Sequence, residues 1–152
     1  MTPTATISKY TLKSGETRWR VVYRTPERSQ TQKRGFKRRR DAELWWAETL
    51  VDMRRGAFVP ESRGLVTVET VYRDWIDVVR VKPKTMVTRK STWRNHVAPR
   101  WATARIGDVR KPAVQAWVND MEKSGVGAAT IYNAVSVMRM VCGYAVEEQL
   151  IV

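Results

Sequence analysis

Thr17-Arg-Trp-Arg-Val-Val-Tyr-Arg24 alternates between two kinds of side chain. Trp19, Val21 and Tyr23 point to one side of an extended chain, and Arg18, Arg20, Val22 and Arg24 point to the other. A period of two with one apolar side defines a half-buried strand whose outer face is cationic. Upstream, Ile7 to Leu12 reads as a second strand, and Ser14-Gly15 as a two-residue hairpin loop, since glycine tolerates positive φ. Downstream, Pro26 ends the central strand and Thr31 to Phe36 supplies a third, whose facing the pattern leaves open. From Asp41 the period becomes helical. Ala42, Trp45, Trp46, Thr49, Leu50 and Met53 fall at i, i+3, i+4 spacing on one face. Asp41 serves as a cap or first-turn acid, and Gly56 as a stop. These pieces predict a small three-stranded antiparallel sheet with one helix on one face.

The rest of the chain has a different character. Residues 59–66, with Pro60 and Gly64 and no sustained period, read as a linker between a domain at 1–58 and another at 67–152. Four helices are predicted beyond it. Thr67 caps the first, which buries Val68, Val71, Tyr72, Trp75 and Val79. The second runs from about Lys84 to Val97, with Met86, Trp93 and Val97 inward, and Pro99 stops it. Pro112 opens the third, over Val114, Trp117, Val118 and Met121. After Gly125 and Gly127 the fourth spans about Ala128 to Glu148, with Ile131, Val135, Met138, Cys142 and Ala145 as its stripe. The expected fold class is α+β: a small sheet with one helix, then a separate four-helix all-α domain.

Charge narrows the function. Twenty-eight Lys and Arg face 15 Asp and Glu, a formal net charge of +13 in 152 residues. A compact protein carrying that excess repels itself unless an anionic partner relieves it, and nucleic acid is the commonest such partner. Residues 1–64 hold 15 basic and 7 acidic side chains, and residues 65–152 hold 13 and 8. The excess therefore belongs to both halves rather than to a basic tail. With 43% hydrophobic residues and seven Trp the chain forms cores and is not a disordered polycation. No apolar run reaches the roughly 18 residues of a membrane span. Met1-Thr-Pro-Thr-Ala-Thr lacks the segments of a signal peptide, and Cys142 has no internal disulfide partner, so a reducing interior such as the bacterial cytoplasm is expected.

No catalytic constellation emerges. His96 is the only histidine, and it reads as a helix-end residue; Cys142 reads as a small core residue. No Cys/His cluster fits zinc, and Gly125-Val-Gly127 is too short for a phosphate loop. Binding features are stronger. A sheet face bearing Arg18, Arg20 and Arg24 either enters a DNA major groove, where Arg reads guanine or grips phosphate, or is a solvated exterior; the overall charge favours the groove. Val22 meets a thymine methyl or is merely exposed, and Lys9, Lys33 and Arg34 are expected to extend the patch. Lys37-Arg38-Arg39-Arg40 is either a phosphate contact or a solvated turn. On the second predicted helix Lys84, Thr88, Ser91 and Asn95 lie opposite the apolar stripe, flanked by Thr85, Arg89, Thr92 and Arg94. The fourth carries Thr130, Tyr132, Asn133, Ser136 and Arg139 away from its stripe. Two such polar helix faces with basic flanks fit groove contact.

The order of these pieces resembles a known family. Ile7-Ser-Lys-Tyr-Thr-Leu-Lys-Ser-Gly15, Arg18-Trp-Arg-Val-Val-Tyr-Arg24 and Arg34-Gly-Phe-Lys-Arg-Arg-Arg-Asp-Ala42 look like the arm-type DNA-binding domain of phage integrases, which are tyrosine recombinases. The second half resembles their SAM-like core-binding domain. Its matching pieces are Val68 to Trp75, Thr85 to Pro99, Ile106-Gly-Asp-Val109, Val114-Gln-Ala-Trp-Val118, Ala128-Ala-Thr-Ile131 and Ala145 to Ile151. Arg100-Trp101-Ala102 departs from the Leu-Gly pair usual after that proline, which leaves that loop open.

The resemblance implies a partner, double-stranded DNA at arm-type and core-type sites, with self-association on DNA. It implies no cofactor, no metal, no membrane and no small-molecule substrate. It implies residence in the bacterial host cell with the nucleoid, and a parent enzyme whose catalytic tyrosine, arginines, lysine and His-x-x-Arg motif would follow Val152. His96 is followed by Val97, Ala98 and Pro99 and does not supply that motif; Tyr132 and Tyr144 are helix residues, not the nucleophile. A self-standing DNA-binding regulator and an RNA-binding module are the competing expectations, the second without an RNP-type aromatic motif.

Overall fold

A computed structural model describes residues 3–152. The chain forms two compact units, the first ending at Phe58 and the second spanning Val59–Val152. In the first, β1 (Ala5–Thr11), β2 (Thr17–Arg24) and β3 (Gln30–Phe36) make an antiparallel sheet in the order β1-β2-β3, followed by α1 (Arg39–Arg55). Val21, Tyr23, Ala42 and Met53 are the buried centre, with Trp19, Phe36, Trp45, Trp46 and Phe58 packed around them. Tyr23 meets Trp45 edge-on at 5.4 Å and Phe58 at 6.1 Å, the geometry aromatic quadrupoles favour. Asp41 lies in the first turn of α1, while Arg38 holds the cap position, and Gly56 closes the helix at φ 70°.

Both hairpin loops differ from a two-residue turn. The Leu12 N–H donates to Glu16 O at 2.8 Å and the Gly15 N–H to Leu12 O at 2.9 Å, so the tip is Lys13-Ser14-Gly15. Gly15, at φ 85°, serves as the left-handed closing residue of a three-residue loop, not as half of a primed turn. The β2–β3 loop repeats the pattern: Thr25 N–H to Ser29 O and Arg28 N–H to Thr25 O, both 2.9 Å. Here Arg28 occupies the left-handed position, at φ 67°. Arg28→Gly is therefore expected to stabilise the first unit by about 0.5 kcal/mol: relief of about 1–2 kcal/mol of left-handed strain outweighs the entropy glycine adds to the unfolded chain. Chemical denaturation followed by circular dichroism checks this; a lower midpoint would contradict it.

The open facing of β3 has a cause. Gly35, at φ 98°, is an extra residue, so Trp19 pairs with Phe36 while Arg20 pairs with Arg34. The bulge places Thr31, Lys33 and Phe36 on the core side and Gln30, Gln32 and Arg34 on the outer side.

The second unit begins before the helices. Residues 59–66, expected as a linker, hold a 3-10 turn (Glu61–Leu65) packed into this unit. Gly64 is buried against Gly107, where an added Cβ on Gly107 would stand 3.1 Å from Gly64 O. Val66 O then accepts from the Ile106 N–H, and the Val68 N–H reaches Ala104 O, both at 2.8 Å. Two glycines let two backbones touch, a device that leaves no periodic signal.

The helices are α2 (Val68–Val78), α3 (Pro83–Thr92), α4 (Ala98–Trp101), α5 (Lys111–Lys123) and α6 (Ala128–Glu147). Thr67 Oγ1 accepts from the Thr70 N–H at 3.2 Å and caps α2, as expected. Pro99 does not stop the second predicted helix. Trp93–Val97 widen into a π turn in which the Ala98 N–H donates to Trp93 O, and the helix runs on to Trp101. A widened turn accommodates the proline ring and its missing N–H, which would clash in a regular helix. The loop left open at Arg100-Trp101 is thus the last helical turn, and Trp101 is a core residue, 2% exposed.

On α6 the buried stripe is Ala134, Val137, Met138, Val141 and Ala145, rotated from the expected one. Ile131, Val135 and Cys142 form a half-buried second row. The helix packs on α2, α3, the π turn and α5, so more than one stripe is covered. Tyr72 stacks on Trp93 at 3.9 Å with rings 3° apart. The α+β class read from the sequence holds.

Candidate nucleic-acid interface

The outer face of the sheet is built by register. Ser8, Arg20 and Arg34 oppose one another across the three strands, Tyr10 opposes Arg18, and Thr6 and Gln32 flank Val22. Side chains directly opposite in a sheet share a face. Arg18, Arg20, Arg24 and Arg34 therefore project together among Thr6, Ser8, Tyr10, Gln30 and Gln32, and none of these outward positions is acidic. Arg20 Nε donates to Ser8 Oγ at 3.1 Å. The Arg20 and Arg34 guanidinium groups lie 5.9 and 5.4 Å from the Tyr10 ring centre, within cation–π range. Arg18 pairs with Glu16 from the neighbouring loop, and Arg24 donates to Arg28 O at 3.3 Å.

Lys9 and Lys33 do not extend this face. Lys9 pairs with Trp19 and Lys33 with Val21, so both fall on the helix-covered side. The alternation of β1 carried that signal, since Lys9 lies two residues from Ile7 on its side, and it also puts Ser8 and Tyr10 on the other side, two residues not marked from the sequence. In the Lys37–Arg40 run, Arg39 bonds Glu43 at 2.8 Å and lies 5.8 Å from the Trp19 ring. Lys37, Arg38 and Arg40 are exposed.

In the helical unit Lys84, Thr85, Thr88 and Asn95 are exposed along α3 and its π turn, with Ser91 half-buried. Asn95 Nδ2 donates to Ser91 Oγ at 3.2 Å, and Thr88 Oγ1 to Lys84 O at 3.1 Å. Arg89 is displaced from this row. It lies three residues after Met86 and four before Trp93, hence on the inward stripe, with its guanidinium 5.4 Å from the Trp75 ring and Nη1 buried without a hydrogen-bond partner. Thr92 is buried as well. On α6, Asn133 and Arg139 are exposed, Thr130 and Ser136 half-buried, and Tyr132 is 72% exposed. The two helices pack against each other.

Three potentially nucleophilic groups are held toward their protonated forms. Burial pushes the Cys142 thiol and the Tyr72 hydroxyl up from their ordinary values. Tyr144 is raised by desolvation and then by the carboxylates of Glu148, Asp74 and Glu147. Among the described residues no cluster of His, Cys, Asp or Glu could hold a metal ion, and no helix is long and apolar enough to cross a membrane.

Residues 67–121 match the family described as "Phage integrase, N-terminal SAM-like domain". That match lies within the helical unit. The integrase resemblance read in the sequence is thereby borne out where the motifs from Val68 to Met121 lie. A solved structure, "Crystal structure of a lambda integrase dimer bound to a COC' core site", matches with a TM-score of 0.53 at 18% identity. The match covers 94% of this chain, and so takes in residues of both units, and 41% of the lambda integrase chain; this chain therefore spans less than half the length of that protein. None of the curated proteins matches the sequence significantly.

Proposed function

We infer that this chain is the DNA-binding region of a site-specific tyrosine recombinase of the phage integrase kind, and that its two units hold different DNA segments. The sheet lays Arg18, Arg20, Arg24 and Arg34 in the major groove of arm-type sites. The helical unit grips core-type sites through Lys84, Thr85, Thr88, Ser91 and Asn95 of the α3 run and Thr130, Asn133 and Arg139 of α6. The observation that carries this is the sheet's outer face: four arginines on one side, Arg20 and Arg34 directly opposite each other, with Glu16 beside Arg18 at the hairpin end as the acid that faces them. The similarity of the helical unit to integrase SAM-like domains, and the core site bound by the lambda integrase, support the second assignment. Phosphate contacts set register and a few side chains read bases. Strand cleavage belongs to the parent enzyme's catalytic domain, and self-association occurs on DNA. Joining two sites in one chain makes the second binding event intramolecular and raises its effective concentration.

The test is a stoichiometric titration of the 152-residue chain with short duplexes from an attachment region, repeated at several salt concentrations. Two different duplexes per chain are expected, each with its own salt slope. One duplex per chain, or a preference for RNA, would remove the bivalent reading.

A further inference from the structure

The outer face does not present four equivalent arginines, and the differences divide the labour of DNA reading. We propose that Arg20 reads a guanine, that Tyr10 and Ser8 hold it for that purpose, and that Arg24 grips phosphate. These roles depend on the assignment of the sheet to duplex DNA.

Arg20 lies on β2, the central strand, with a neighbour on each side. A sheet entering a groove places its central strand deepest, nearest the base edges. Its side chain is fixed at two points: Nε donates to Ser8 Oγ at 3.1 Å, and the guanidinium lies over the Tyr10 ring at 5.9 Å. Arg34 meets the same ring at 5.4 Å, so Tyr10 supports two guanidinium groups at once. With Nε engaged by Ser8, the two terminal nitrogens of Arg20 remain as a parallel pair of donors. That pair matches the O6 and N7 acceptors of guanine in the major groove. A side chain ordered before binding loses little entropy on docking, which is the condition for specificity in a long residue such as Arg.

The other arginines are held differently. Arg18 is tied to the Glu16 carboxylate, which neutralises it in part. Arg24 is exposed at the end of β2 and donates to Arg28 O at 3.3 Å, a long bond to a loop carbonyl. An exposed cation at a strand end suits phosphate, which asks for charge rather than for a base-edge pattern. Val22, two residues from Arg20 on the same face, is the apolar neighbour and would meet the methyl of an adjacent thymine.

The test is selection of bound sequences from random duplexes with the full chain, compared with Arg20→Lys, Arg20→Ala, Ser8→Ala and Arg24→Ala. The wild-type chain is expected to prefer guanine at one position by about 10- to 100-fold over other base pairs. Replacing that guanine with 7-deazaguanine should remove most of the preference. Arg20→Lys and Arg20→Ala should flatten that position alone, the lysine form keeping the salt slope. Ser8→Ala should weaken the preference several-fold without moving the slope, which a merely structural serine would not do. Arg24→Ala should weaken all sequences alike and lower the slope by about one. Preference intact in Arg20→Lys and Arg20→Ala, or lost in Arg24→Ala, would overturn the assignment while leaving the sheet as a DNA surface. Duplex binding unchanged in every one of these variants would overturn the DNA reading of the sheet itself.

Discussion

Replacing Arg18, Arg20, Arg24 and Arg34 together with glutamine is expected to cost about 1000-fold in affinity for an arm-type duplex. Each charge-assisted contact to DNA contributes roughly 1 kcal/mol or more, so four together come to about 4 kcal/mol, close to three decades in Kd. The salt slope should fall by about three rather than about four, because Arg18 is already paired with Glu16. The core should be spared. The four side chains lie on the face turned away from Val21, Tyr23 and α1, so no core volume is removed. Removing the two guanidinium groups from the Tyr10 ring should cost about 1–2 kcal/mol. A core-type duplex, held by the helical unit, should keep its affinity and its slope. Electrophoretic or anisotropy titrations of both duplexes, with a thermal melt of each protein, decide the matter. Equal weakening for both duplexes would show that the charge acts through a general field rather than through this face.

The fold was legible where one period governs one element. The Thr17–Arg24 alternation, the Ala42–Met53 face and the Thr67 cap are local patterns, and the structure repeats them. Devices that act between elements left weaker traces. Gly35 inserts one residue and flips the facing of Phe36, so Lys33 shares the core side with Phe36 although an unbroken alternation would put the two on opposite sides. The Gly64–Gly107 contact depends on the absence of side chains, and absence has no period. Pro99 is a strong local stop signal that the π turn at Trp93–Val97 overrides. In the candidate interface the same division holds. The β2 arginines were evident from alternation, and the same reading of β1 would have placed Lys9, whereas Lys33 and Arg89 needed strand register or an inward helix stripe to be placed. Alternation could place Tyr10 and Ser8 on the outer face, but their part in the site comes from Arg20, a partner distant from Ser8 in the chain, and that contact has no signal in the sequence.

Trp101→Ala is expected to destabilise the helical unit by about 3–5 kcal/mol, the usual cost of emptying a large aromatic site. For a unit of this size that is a large part of a total stability of about 5–15 kcal/mol, so a substantial fraction should be unfolded at physiological temperature. The site explains the size of the effect. Trp101 is 2% exposed, meets Trp117 edge-on at 5.9 Å, and carries the Arg100 guanidinium 4.5 Å from its ring centre. It closes the helix that Pro99 was expected to end, so its removal also unpins the turn that leads into Ala102 and Ala104, whose carbonyls accept from the Glu69 and Val68 N–H groups. Its Nε1, however, is buried with no hydrogen-bond partner. An unsatisfied buried donor costs about 1–3 kcal/mol. Trp101→Phe removes that donor together with part of the ring, and the two effects oppose. The phenylalanine form should therefore lose no more than about 1 kcal/mol, several-fold less than the alanine form. Urea denaturation of both variants separates the contributions. If Trp101→Phe proved as damaging as Trp101→Ala, the indole nitrogen would have a partner in solution, and the site would be one that needs a hydrogen bond rather than volume alone.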